Sequence, residues 1–341
     1  MSIPVFRPSI KRKEMDSVLS CMVSDHIGPG QYSEQLIEEF KQICEVKSCT
    51  LLREYERTIE IAFQTLQLNA GMEFILSPLV PETYLHVIRK MELIPIFIDV
   101  NPMTAVPDLD DFLDKVNENT GALLLMGMFG YQWDFSEWEH PGVPVIEDIS
   151  FSYGSVVSRI PAGHTGDLVL MRLEASDLIT TGGGSALMAR NKAQCDRLQD
   201  ELKNFDETIL LSDMNAALGF SQIKEFEKNF ELREEIYKLF LSSLQKGKHG
   251  YLNGNSEERI IRSSLPVLVK GNRQEIQKYA QKKNVETSLA FKGCCLEEEL
   301  GDLIVCPVAE TLILNCILFP LYPSLGKTNS ESIARILATL P

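Results

Sequence analysis

A chain of 341 residues is long enough to bury a full core, and its length predicts two domains or one large one. With 44% hydrophobic and 24% charged residues it has a globular composition, and no apolar run reaches the roughly 18 residues of a membrane helix. A net charge of −15, with no basic stripe interleaved with aromatics, argues against nucleic acid and anionic membranes as partners.

The opening residues 1–8 contain no apolar core of signal-peptide length. The 8 cysteines are scattered, only Cys294 and Cys295 being adjacent, which predicts reduced thiols in a cytoplasmic protein. No Cys/His spacing resembles a zinc site, so no metal is assigned. Ser33 is placed to cap a helix over 34–44, with Leu36, Ile37 and Phe40 on one face. A second helical stripe runs over 57–68 through Ile59, Ala62, Phe63 and Leu66. Phe74, Ile75 and Leu76 form a short buried strand before Pro78 and Pro81 break the chain. Residues 86–91 read as helix, 94–100 as a strand ending at Asp99, and 122–128 and 143–146 as further apolar strands. Alternation of this kind predicts an α/β fold, a mostly parallel sheet covered by helices. One long polar-faced helix is expected over 212–245, carrying Lys224, Glu227, Glu231 and Glu234. It leads to a smaller α/β unit with a strand at 264–269 and helices at 273–283 and 330–340. Charge runs at 257–259 and 297–299 read as solvated faces. No internal repeat or low-complexity tract is present.

The run Gly166-Asp167-Leu168-Val169-Leu170-Met171-Arg172-Leu173-Glu174-Ala175-Ser176-Asp177-Leu178-Ile179-Thr180-Thr181-Gly182-Gly183-Gly184-Ser185 resembles a segment of the DegT/StrS-type sugar aminotransferases. There it reads G-D-I-G-C-F-S-F-H-P-T-K-N-I-T-T-G-E-G-G, and its lysine forms a Schiff base with pyridoxal phosphate (PLP). Here Asp177 stands at that lysine's place, and a carboxylate cannot form an imine. The resemblance extends along the chain: residues 3–8, Gly28-Pro29-Gly30, Pro95–Val100, Met128-Phe129-Gly130, Pro144–Asp148, Ala216–Gly219, Pro307–Glu310 and Phe319–Pro323 match family motifs in order. It implies a fold type I aminotransferase architecture. A large three-layer α/β/α domain would span 1–225 and a small C-terminal α/β domain 226–341, in a homodimer with sites at the interface. It further implies a setting in sugar or surface-polysaccharide biosynthesis, with a sugar nucleotide as candidate ligand and an active paralogue as candidate companion.

The departures from the family pattern fall on its cofactor site. The S-G-T phosphate cup falls on Glu54-Tyr55-Glu56, with Arg53 just before. Two carboxylates facing a phosphate ~5 Å away, at an effective dielectric of ~20, would each repel it by roughly 3 kcal/mol per unit charge. The cofactor-stacking aromatic falls near Pro81. The glutamine after E-D-A-A becomes Phe151, the phosphate-binding serine becomes Arg172, and the N-x-R supplied across the dimer becomes Thr208-Ile209-Leu210. Asp148 matches the aspartate that pairs with the pyridinium nitrogen; the alternative is a strand-end carboxylate paired locally with Arg172 or a backbone amide.

Other residues carry two readings each. Thr180 to Gly184 form either an anion-binding loop or a turn leading into a strand. His164 is a base or an incidental loop residue. Arg172, Glu174 and Asp177 line the old cofactor cavity or form structural ion pairs. Trp133 and Trp138 pack in a core or interface. Three functions are open. The leading one is a ligand-binding or regulatory pseudoenzyme with no cofactor and no assigned catalytic residue. The second is a sugar-modifying enzyme, aminotransferase or dehydratase, using PLP or its amine form (PMP) without the lysine, with Asp177 as base. The third is an aminotransferase whose lysine comes from elsewhere, such as Lys192.

Overall fold

The computed structural model describes residues 2–24, 26–252, 258–298 and 305–341. Glu257 and Glu299, at the ends of the two charge runs, lie outside the described residues. The strands are β1 (Ser48–Leu52), β2 (Glu73–Leu76), β3 (Ile94–Phe97), β4 (Thr120–Met126) and β5 (Val145–Asp148). A short hairpin, β6 (Val156–Val157) and β7 (Ile160–Pro161), precedes β8 (Leu168–Arg172) and β9 (Ser185–Ala189). Seven of these form one sheet in the order β1-β9-β8-β5-β4-β2-β3. From β3 to β8 every pairing is parallel, while β9 runs antiparallel to both β8 and β1. Strands such as Ala122 to Met126 are apolar throughout because helices cover both faces of the sheet, leaving no solvated side to alternate toward.

A second sheet is built from β10 (Gly250–Tyr251), β11 (Leu265–Leu268), β12 (Ser288–Leu289) and β13 (Cys316–Phe319), in the antiparallel order β10-β11-β13-β12. Its core is Val267, Ile317 and Phe319 packed with Phe240, Ile276, Ile333 and Leu337 from helices Phe226–Leu244, Arg273–Lys282 and Gly326–Leu337. No described helix is long and apolar enough to cross a membrane. All eight cysteines are buried free thiols.

Two local expectations change. The helix expected to start after Ser33 runs Gln31–Ile43, and Ser33 does not cap it. The Asp213 carboxylate does so from 180 residues away, accepting from the Tyr32 amide (3.0 Å), the Ser33 amide (2.7 Å) and the Ser33 hydroxyl (2.9 Å). A distant acid satisfies the orphan amides of the first turn as well as a local cap would. The single helix over 212–245 is two helices, Asp213–Lys224 and Phe226–Leu244, broken at Glu225 (φ −101°, ψ 7°). The break turns Phe226 inward, 4.9 Å from the Tyr153 ring and over Gly154, whose φ of +87° a side chain would strain.

Candidate functional site

In open parallel sheets ligands gather at the carboxyl ends of the strands. Here that edge carries Asp148 at the end of β5 and Arg172 at the end of the adjacent β8. Asp148 is 1% exposed, and both of its oxygens are occupied. Oδ2 accepts from the Tyr84 hydroxyl at 2.6 Å and from the Tyr55 hydroxyl. Oδ1 accepts from the Ser150 amide at 2.9 Å and from the Ser150 hydroxyl. The two tyrosine hydroxyls are themselves 3.2 Å apart, and the rings meet edge to face at 6.0 Å. Burial first, then the charge of Asp148, pushes both phenols well above their usual range, so they remain protonated donors.

Arg172 and Asp177 form a bidentate pair, Nη2 to Oδ1 at 2.8 Å and Nε to Oδ2 at 3.0 Å. The Glu174 amide adds a bond to Oδ2 at 2.8 Å. The Asp177 side chain is 1% exposed. Burial pushes its carboxyl above the ordinary range, opposed by Arg172. Burial also works against the Arg172 charge, but the bond and charge of Asp177 outweigh it and hold the guanidinium protonated. The guanidinium stands 5.3 Å from the Phe151 ring and 5.7 Å from the Tyr55 ring, placing a cation against two π faces. Ser150 links the two clusters, because its hydroxyl also accepts from the Arg172 amide at 2.8 Å.

The structure therefore brings Tyr55, Asp148, Phe151, Arg172 and Asp177 together and leaves Glu54 and Glu56 out. Helix Tyr55–Thr65 begins here, and its 100° step per residue turns Tyr55 inward while Glu54 and Glu56 are exposed. Neither Glu54 nor Glu56 lines the cavity that lies above this edge. Glu174 contributes its amide to the Arg172–Asp177 pair, and its carboxylate makes no bond to that pair. Of the two local partners expected for Asp148, Arg172 or a backbone amide, the structure shows an amide, that of Ser150, and adds two tyrosines distant in sequence. Lys192 is exposed just beyond the end of β9 that pairs with the start of β8, so the length of β8 separates it from Arg172. Thr180 to Gly184 form a turn into β9, tied by Thr180 Oγ1 to the Gly182 amide and Thr181 Oγ1 to the Gly183 carbonyl. His164 bonds the Ile43 carbonyl at 2.8 Å, away from this edge. Trp133 donates to the Pro107 carbonyl and packs between Tyr131 and Phe135, with Trp138 beyond. Sequence reading missed Tyr84. The available signal was a tyrosine on the apolar face of helix Glu82–Lys90, beside Leu85 and Ile88, where a buried hydroxyl needs a partner.

Above this floor lies a cavity of about 300 Å³ between the large sheet and the second one. Ser150, Phe151 and Asp177 form its base, Phe6 and Phe129 its side, and Ser263 and Ser288 part of its roof.

The architecture is that of solved sugar-modifying enzymes. Helicobacter pylori PseC, an aminotransferase involved in the biosynthesis of pseudoaminic acid, superposes with a TM-score of 0.89 at 15% identity, covering 99% of this chain and 98% of that one. The E. coli GDP-4-keto-6-deoxy-D-mannose-3-dehydratase with bound hydrated PLP gives 0.87 at 16% identity, over 99% and 100% of the two chains. By sequence, the GDP-perosamine synthase of Vibrio cholerae is 21% identical over 98% of each chain. A dTDP-4-dehydro-2,3,6-trideoxy-D-glucose 4-aminotransferase of Saccharopolyspora spinosa is 23% identical over 69% of each. Residues 8–340 match the model of the DegT/DnrJ/EryC1/StrS aminotransferase family, so the chain belongs to that family.

Proposed function

We propose that this chain keeps the sugar aminotransferase scaffold but does not carry out PLP-dependent transamination, and serves as a ligand-binding or regulatory protein in sugar or surface-polysaccharide biosynthesis. The observation that carries this reading is the closure of the strand edge upon itself. Asp148 is saturated by Tyr55, Tyr84 and Ser150, and Asp177 is held by Arg172. In this reading the residues present do not fit PLP. The carboxylate that would meet a pyridinium nitrogen has no free oxygen, the lysine position holds no amine, and the serine position holds a guanidinium stacked on Phe151. The relatives support the setting in sugar biosynthesis; a sugar nucleotide as ligand class and an active paralogue as companion extend that reading.

The test is an absorption spectrum after mixing the protein with PLP, followed by borohydride. The expected result is the spectrum of free PLP and no covalent label. An aldimine band bleached by borohydride in the wild type would overturn the proposal. Asp177→Lys alone is expected to stay unlabelled, because Arg172 and the two tyrosines still occupy the site. A second reading, a sugar-modifying enzyme that uses PLP or PMP without a lysine, is favoured by one observation. Asp148 is retained on a fold that also serves a PLP-containing dehydratase. Saturable PMP binding without borohydride trapping would select it.

A further inference from the structure

One buried imidazole joins three stretches of the second layer. His249 lies in the turn between helix Phe226–Leu244 and β10 and is 6% exposed. Its Nδ1 accepts from the Lys270 amide, just past β11, at 3.1 Å. Its Nε2 stands 3.0 Å from the main-chain oxygen of Pro341, beyond helix Gly326–Leu337. An amide N–H only donates, and a main-chain oxygen only accepts. The two bonds together therefore fix one form of the ring, neutral, with its proton on Nε2 and its lone pair on Nδ1.

The same three stretches meet in the apolar core beneath. Leu244, Val269 and Leu340 belong to one buried cluster with Phe240, Val267 and Ile276. The ends of the two long helices adjoin here, since a Cβ at Gly247 would lie 3.5 Å from the Leu244 carbonyl oxygen and 3.9 Å from that of Leu337. His249 is thus the polar tie at the edge of that core.

A proton on Nδ1 would turn the acceptor into a donor and set it against the Lys270 N–H. That bond cannot survive the change, whereas the bond to Pro341 can. Burial disfavours the charged ring most, and the charged side chains that act on it, Lys248 from its own turn and Lys270 from the turn after β11, are both cations. Main-chain groups of Pro341 and Leu340 oppose them, and the balance pulls His249 below its ordinary value.

We propose that His249 is an acid-sensitive latch, which holds the turn after β11 and the C-terminal stretch to the end of helix Phe226–Leu244 while its ring is neutral and lets go of Lys270 when Nδ1 takes a proton. The latch owes nothing to what binds at the strand edge. Opened, the ring returns to about 6.5, so the closed state binds fewer protons. Its hold is complete above that pH. It weakens as pH falls toward the lowered value, the opening equilibrium rising about tenfold per pH unit.

The experiment follows the ring nitrogens of His249 by NMR in the whole protein, together with amide exchange protection at Lys270, between pH 7.5 and 5. The expected result is an Nε2–H tautomer that titrates below about 6.5. Protection at Lys270 should fall about tenfold per unit below that pH, while Val267 within β11 stays protected. In His249→Asn the side-chain oxygen still accepts but does not titrate, so the acid response at Lys270 should vanish. An Nδ1–H tautomer, a titration at or above the ordinary value, or the same acid response at Lys270 in His249→Asn would overturn the proposal. The tautomer and the titration are read on the wild type, so the outcome does not depend on how well the variant folds.

Discussion

Arg172 and Asp177 are worth more to each other than to the fold. A buried ion pair gains little over a packed apolar pair, because both charges lose water, but removing one partner strands the other. Arg172→Met is therefore expected to destabilise the protein by about 3–5 kcal/mol, since Asp177 is left sealed without its partner. The double variant Arg172→Met with Asp177→Leu should recover most of that loss. Urea melts of the three proteins check this, and a double variant no more stable than Arg172→Met would contradict it. Much of this cluster was legible in the sequence. Asp148, Phe151, Arg172 and Asp177 sit in or beside motifs whose spacing survives without gaps, so counting along the chain located them. Tyr84 was not legible, because its partner is 64 positions away and the sequence has no mark for a hydroxyl reaching across the sheet edge. Glu54 and Glu56 were located, and both are exposed at the start of the helix. Position in a motif does not say which side of the first helical turn a side chain leaves from.

At the level of elements, the helices depend on long-range polar partners as much as on their own caps. Asp213 opens helix Asp213–Lys224 and at the same time closes the N-terminus of Gln31–Ile43. Asp213→Ala should therefore loosen a helix it does not belong to, at a cost of about 2 kcal/mol for the lost cap. Hydrogen exchange should rise at Tyr32 and Ser33 while the Leu168–Arg172 strand stays protected, and unchanged protection at those two amides would refute the assignment. The strands at Glu73–Leu76, Ile94–Phe97, Thr120–Met126, Val145–Asp148 and Leu265–Leu268 and the helices Gln31–Ile43, Tyr55–Thr65 and Arg273–Lys282 were legible, because covered strands leave apolar runs and helices a 3.6-residue stripe. β1, β8, β13 and the helices Arg12–Val23 and Lys192–Leu202 were not read. Nor were the break at Glu225 and the cap from Asp213. One is set by where Phe226 must pack and the other by a residue 180 positions away, and neither changes the local pattern.

For the whole molecule, the helix Arg12–Val23 presents Met15 (55% exposed), Leu19 (57%), Met22 (53%) and Val23 (74%) on one stripe at i, i+4, i+7 and i+8. An apolar groove of about 310 Å³ lies elsewhere on the large layer, between Pro29, Ile37, Phe205, Ile209 and Leu210. Apolar surface gathered in this way marks a contact. We propose that the contact is a second copy of this chain in a two-fold dimer, the arrangement most homo-oligomers adopt. Light scattering at micromolar concentration should give twice the monomer mass, and Leu19→Glu should shift it toward one copy. A wild-type monomer under those conditions would sink the dimer and direct attention to a different protein as partner.

The interlocked strand edge has an evolutionary consequence. Sequences change one position at a time, and in the reading proposed above each single step back toward a cofactor site passes through a worse protein. Asp177→Lys sets an ammonium against Arg172. Arg172→Ser strands Asp177, and Tyr55→Gly strips a donor from Asp148 and the stacking face from Arg172. The arrangement works as a ratchet. Once Arg172 and Asp177 were paired, stability alone would keep them, whatever the protein was then selected to do.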